Sequence, residues 1–103
     1  MNSVETHITG TQLSLTVLVN RLDANTARDF KKEIEAAWQP EISTVTADLS
    51  KVEFIDSSGV GALLGIYKRL PAGNPGIRLR GVCPGVHAVI ELLRLHRIFD
   101  IEA

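Results

Sequence analysis

Asp48-Leu49-Ser50-Lys51-Val52-Glu53-Phe54-Ile55-Asp56-Ser57-Ser58-Gly59-Val60-Gly61 is the stretch on which the reading of this chain turns. An apolar strand runs into a polar turn, and helical spacing begins at once, with Val60, Leu63, Leu64 and Tyr67 at i, i+3, i+4 and i+7. The two serines are therefore expected at a helix N-terminus. Backbone amides there lack an intrahelical acceptor and the helix dipole is positive, so the position favours a negative group, a phosphate included. Asp and Ser are also preferred N-cap residues, and a simple cap would account for Asp56-Ser57-Ser58 taken alone. The glycines that follow ask for more. Gly59, Gly61 and Gly65 fall in one helix, where each costs up to ~1 kcal/mol relative to alanine. Gly61 and Gly65 are four apart and clear one face for another backbone, either the sheet's or a partner's. Gly59 is expected to leave the serine hydroxyls sterically open.

Upstream, Leu13, Leu15, Val17 and Val19 alternate with other residues at the period of a half-buried strand. Val4 to Ile8 makes a short first strand, and Gly10-Thr11 joins the two as an edge hairpin. Asp23 to Trp38 has helical spacing, with Ala27, Phe30, Ile34, Ala37 and Trp38 on one stripe. Thr26-Ala27-Arg28-Asp29 fits a capping box, Asp23 is a competing N-cap, and Pro40 stops the helix. Thr44 to Leu49 reads as a strand, which Val52 to Ile55 extends or follows. Downstream, residues 71–76 form a loop and Ile77 to Arg80 a strand. Pro84 opens a third helix with Val86, Val89, Ile90 and Leu93 inward, and a last short segment carries Leu95, Ile98 and Phe99. Strands alternating with helices after an opening hairpin imply parallel pairing through helical crossovers. The expected fold is a small α/β domain over residues 1–103. Its sheet is mixed and mostly parallel, with three to four helices and part of its surface wet.

A chain of 103 residues with 45% hydrophobic content has room for one core. Its net charge of -1 gives no electrostatic footprint for nucleic acid or for an acidic membrane surface. Arg78 and Arg80, on one strand face, are too few for such a patch. No stretch approaches the ~18 apolar residues of a membrane helix, and the N-terminal Met1-Asn2-Ser3-Val4-Glu5-Thr6-His7 does not read as a signal peptide. The expected location is the cytoplasm. Cys83 stands alone and forms no internal disulfide; a small packed residue is the expected role. His7, His87 and His96 are scattered without ligand spacing, so neither a metal nor a cofactor is expected. No phosphate-binding Gly-rich loop and no Gly-x-Ser-x-Gly elbow occurs, so no enzyme is expected.

The segment DLSKVEFIDSSGVGALLGIYKRL resembles the central part of STAS domains, above all the stand-alone bacterial anti-sigma-factor antagonists. The likeness extends over most of the chain. Asn20-Arg21-Leu22-Asp23-Ala24 looks like the family's loop before its first helix. Ile77-Arg78-Leu79-Arg80-Gly81-Val82 looks like its last sheet strand, and Glu91 to Ile101 like its C-terminal helix and tail. Asn20 departs from the glycine that many members carry there. The resemblance implies that Ser57 is the phosphorylated residue, with Ser58 its neighbour and Asp56 shaping the site. It implies an anti-sigma factor that is also a serine kinase as partner, bound by the unphosphorylated form and released after phosphorylation. A metal-dependent Ser/Thr phosphatase would reset the switch. Asp23 and Asn25 in the neighbouring turn, and Gly59 and Gly61 on the helix, are the further candidate partner contacts. Tyr67 lies on the same helix, where core packing is its expected role. A different class of function, a non-switching accessory or scaffold subunit of a stress-sensing or lipid-transport complex, is also compatible with the resemblance.

Overall fold

Two strands open the chain, β1 (Val4–Thr9) and β2 (Gln12–Val17), paired antiparallel around Gly10 at φ 62°. The remaining elements are β3 (Arg21–Leu22), α1 (Ala24–Ala37), β4 (Thr44–Asp48), β5 (Phe54–Ile55), α2 (Ser57–Arg69), β6 (Ile77–Arg80), α3 (Pro84–Leu92) and β7 (Phe99–Ile101). The computed structural model describes residues 2–102. The main sheet has the order β1-β2-β4-β6-β7, and every pairing after the hairpin is parallel. β2 to β4, β4 to β6 and β6 to β7 are each bridged by a helix, as parallel neighbours require.

One face of this sheet is dry. Leu13, Leu15, Val17, Val45, Ala47, Ile77, Leu79 and Phe99 are all buried, and Phe30, Ile34, Leu63, Ile66, Val86 and Ile90 from the helices join the same core. The opposite face carries a polar row in register, His7, Ser14, Thr46, Arg78 and Asp100, each exposed or half-buried. The alternation seen in the sequence is therefore a true two-sided pattern, with water on one side. Arg78 and Arg80 face out and lie 3.7 and 3.5 Å from the carboxylates of Asp100 and Glu102.

Three points that the sequence leaves open are resolved in the structure. Of the two candidate N-caps, Asp23 is the one that caps α1, with φ -130° and its carboxylate on the amides of Asn25 and Thr26. Thr26 returns the bond, its hydroxyl accepting from the Asp23 amide at 3.0 Å, so the capping box lies three residues earlier. Pairing of Arg21 and Leu22 in β3 holds the backbone extended up to that point, and the helix starts where the pairing stops. Second, Val52 to Ile55 follows β4 without extending it: only Phe54 and Ile55 are strand, and they pair with β3 in a separate two-stranded sheet. Third, of Glu91 to Ile101 only the first two residues are helical, and the tail ends as a strand. α3 ends at Leu92, Arg94 takes φ 58°, and Phe99 to Ile101 returns to the sheet beside β6 with Phe99 buried.

β1 is tied to α1 by a clamp with no sequence signal. The Glu33 carboxylate accepts from the Ser3 amide at 2.9 and 3.0 Å, the Ser3 hydroxyl, and the Val4 amide. Partial burial pushes the Glu33 carboxyl up, but these four bonds outweigh it and hold it below the ordinary carboxylate range. The clamp therefore contributes in full above the unfolded value of ~4.3 and is lost as falling pH protonates the folded carboxyl. Glu33→Gln is expected to lose about 1–3 kcal/mol at neutral pH, since one oxygen becomes a donor among donors. Urea titrations from pH 7 downward check this: the gap between wild type and variant narrows as the pH falls below about 4.3.

Candidate functional site

The two-residue ribbon of β3 and β5 sets the geometry of the site. Arg21 pairs with Phe54 and Leu22 with Ile55, in parallel, so both strands deliver their chains in the same direction. Each strand is followed immediately by an aspartate and a helix. Asp23 caps α1 and Asp56 caps α2, and the two helix N-termini stand side by side at one end of the molecule. Main-chain bonds from Glu53 to the Asn20 carbonyl at 2.7 Å and from Asp56 to the Leu22 carbonyl at 3.4 Å hold the turns together.

Asp56 has φ -117° and accepts from the amides of Ser58 at 2.8 Å and Gly59 at 3.1 Å. That satisfies two of the orphan donors of α2. Ser57, the first helical residue, is exposed, and its hydroxyl makes no hydrogen bond to the described residues. Ser58 is half-buried. Asn25 is exposed and Asp23 half-buried. Burial pushes the Asp23 carboxyl up; the Asn25 amide, the Arg21 guanidinium and the Thr26 amide outweigh that and leave it lowered. Asp23, Asn25, Asp56, Ser57 and Ser58 thus occupy the neighbouring starts of two helices.

The glycines separate by role. Gly59 is buried, and a Cβ there would stand 2.0 Å from the Leu22 carbonyl oxygen and 2.8 Å from Ile55 Cγ1. It does not clear space around the hydroxyls; it lets α2 rest against the ribbon, which fixes where Ser57 emerges. Gly61 and Gly65 are half-buried, and a Cβ at either would meet nothing within 4 Å. The sheet packing that could have explained them is absent. They line a groove of about 370 Å³ between α1 and α2, walled by Lys31, Glu35, Lys68 and Arg69. Tyr67 is half-buried and packs against the core. Cys83 is half-buried at the start of α3, its thiol 3.5 Å from the Val52 carbonyl. No group of His, Cys, Asp and Glu among the described residues is placed to hold a metal ion.

Sequence reasoning missed Arg21 and Phe54. The Arg21 guanidinium lies 4.1 Å from the centroid of the Phe54 ring, and its Nε is 3.3 Å from Asp23 Oδ2. A strand of two residues is too short to show a period, so nothing in the sequence pairs these positions.

A mixed five-stranded sheet, dry on one face and backed by helices, with a serine presented at a capped helix start, defines a class of small α/β domain. The STAS domain model matches residues 5–103, and the chain belongs to the STAS domain family. An anti-sigma-B factor antagonist of Listeria monocytogenes is 27% identical over 85 residues, spanning 82% of this chain and 75% of that protein. Among solved structures, an anti-sigma factor antagonist from Mycobacterium paratuberculosis superposes with a TM-score of 0.78 at 25% identity, covering 96% of this chain and 85% of that one. The Bacillus cell fate determinant SpoIIAA in its phosphorylated form superposes with a TM-score of 0.70 at 22% identity, covering 97% and 91%. No described helix is long and apolar enough to cross a membrane.

Proposed function

We propose that this protein is an anti-sigma-factor antagonist that works as a phosphorylation-controlled partner switch in the cytoplasm, without enzymatic activity of its own. In the unphosphorylated state it binds a serine-kinase anti-sigma factor; the kinase phosphorylates Ser57 and the complex separates. A Ser/Thr phosphatase restores the hydroxyl. The observation that carries this reading is the exposed Ser57 hydroxyl at the first position of α2, free of bonds to the described residues and beside a second capped helix start. The names of the relatives and structural neighbours support the antagonist part of it.

The chemistry follows from the placement. A phosphate on Ser57 brings about -1.5 to -2 charges to a helix N-terminus, which tolerates them. Asp56 and Asp23 already lend the surface negative charge, so a partner built for a neutral hydroxyl meets repulsion and bulk. The fold stays and the interface goes. Asp23, Asn25, Asp56, Ser58 and Gly61 are the surrounding partner contacts, and Gly59 acts from beneath. Incubation with the kinase encoded nearby and Mg-ATP, followed by mass-spectrometric site mapping, tests the assignment. One phosphate on Ser57 is expected. Phosphate on Ser58 alone would move the site, and none at all would favour a non-switching subunit.

Gly61 offers a second test. With open space around its missing Cβ, Gly61→Ala is expected to raise unfolding stability by up to ~1 kcal/mol through helix propensity. If a partner backbone rests on this face, the same methyl lowers kinase affinity about tenfold, or ~1.4 kcal/mol. Denaturation and calorimetric titration of the one variant read both signs.

A further inference from the structure

The ribbon that aligns the two helix starts also carries an exposed cation stacked on an exposed aromatic ring. Phe54 is 40% exposed, one of three exposed large hydrophobics among the described residues; the other two, Leu92 and Leu93, lie at the end of α3. Arg21 is its register partner on β3, with its side chain 57% exposed and its guanidinium 4.1 Å from the ring centroid. Asp23 takes the Nε of Arg21 at 3.3 Å, while the two η nitrogens have no partner among the described residues. Ring and carboxylate together fix the plane of the guanidinium and leave the outer side of its fork available. Neither side chain belongs to the core, and exposed cation–π and ion pairs contribute little to folding.

A pre-oriented arginine on an aromatic platform loses little conformational entropy when it is bound, and arginine and aromatic residues dominate interface hot spots. Three acidic residues, Asp23, Glu53 and Asp56, lie within two residues of Arg21 or Phe54 in sequence, and Asp23 is already paired with Arg21. A partner that meets those carboxylates with neutral amide donors has room for an acid opposite the free side of the Arg21 fork. The planar fork matches a carboxylate in bidentate fashion. We infer that Arg21, held on Phe54, is a specificity-determining contact that receives an Asp or Glu side chain of the kinase docking over Ser57. A kinase with a cation at that point is repelled.

This inference rests on the partner-switch reading, and the experiment keeps the two apart. Calorimetric titration uses the full chain and the kinase that phosphorylates Ser57, with Mg-ADP so that no transfer occurs. Arg21→Ala and Phe54→Leu are each expected to weaken binding about tenfold or more. The double variant should lose less than the product of the two, because ring and guanidinium act as a unit. Arg21→Lys should also weaken binding, since it keeps the charge and loses the fork. Denaturation midpoints should stay at the wild-type value. Arg21→Ala binding like wild type overturns the inference, and so does a loss of affinity that follows a loss of stability, which would make the pair a brace for the ribbon. Ser57→Asp is titrated alongside. If it binds weakly while Arg21→Ala binds normally, only this inference falls; if it binds like wild type, the switch reading falls; no binding by wild type removes both.

Discussion

Gly59→Ala is expected to cost about 3 kcal/mol or more of unfolding stability, enough to threaten a domain whose whole margin is on the order of 5–15 kcal/mol. The added Cβ would lie 2.0 Å from the carbonyl oxygen of Leu22, which is backbone, and 2.8 Å from Ile55 Cγ1. A flexible side chain could swing aside; a strand carbonyl held in the β3–β5 pair cannot do so without parting the strands. Relief therefore requires α2 to lift from the ribbon, which unpairs the aligned helix starts and withdraws Ser57 from its place beside Asp23. Stability and partner binding should fall together. Gly61→Ala supplies the control, since it is the same chemical change two residues along the same helix with nothing for the methyl to strike. Urea denaturation of the two variants should move in opposite directions from wild type. A Gly59→Ala protein of wild-type stability would mean that α2 does not sit as close to β3 as described.

Ser57→Asp is expected to weaken kinase binding by a hundredfold or more, which corresponds to about 3 kcal/mol. The effect comes from sign and size at an interface. The hydroxyl is exposed and unbonded to the described residues, so its replacement breaks nothing inside the domain. A carboxylate at the first position of a helix is electrostatically favourable for the helix, so the folded state should be as stable as wild type or slightly more so. The partner instead meets a new anion beside Asp56. Ser57→Ala removes no charge and little volume; it should bind normally and accept no phosphate. Calorimetric titration of the three proteins against the kinase in Mg-ADP reads the order. Equal affinity for Ser57→Asp and wild type would contradict the mechanism.

Much of this was legible in the residues because the signals were long. The alternation in Leu13 to Val17 and in Ile77 to Arg80 marked strands whose faces the sheet preserves, and the stripe from Ala27 through Phe30 to Ile34 is the buried side of α1. Asp56 and the serines fell at a helix start because cap residues sit where a period begins. What escaped was short or made by pairing. β3 and β5 have two residues each, too few to carry a period, and they exist because each satisfies the other's backbone. β7 has three residues, and only the return of the chain after Arg94 brings Phe99 beside Ile77. The choice between Asp23 and Thr26 as cap hung on the invisible β3, since the cap must follow the last extended residue. Gly59 was misread for a related reason: its role is defined by Leu22, distant in sequence, while its local setting shows only a serine neighbour. The Glu33 clamp likewise joins positions 30 apart, with nothing local to announce it.

In the proposed switch, phosphate on Ser57 destroys an interface and spares the fold. The most direct test prepares the chain phosphorylated at Ser57 by its kinase and compares it with the unmodified chain in two readings, the denaturation midpoint and the affinity for the kinase in Mg-ADP. The expected result is an unchanged midpoint with affinity lower by about a hundredfold or more. A phosphorylated chain that binds as tightly as the unmodified one, or one that releases its partner only because it has unfolded, would contradict it.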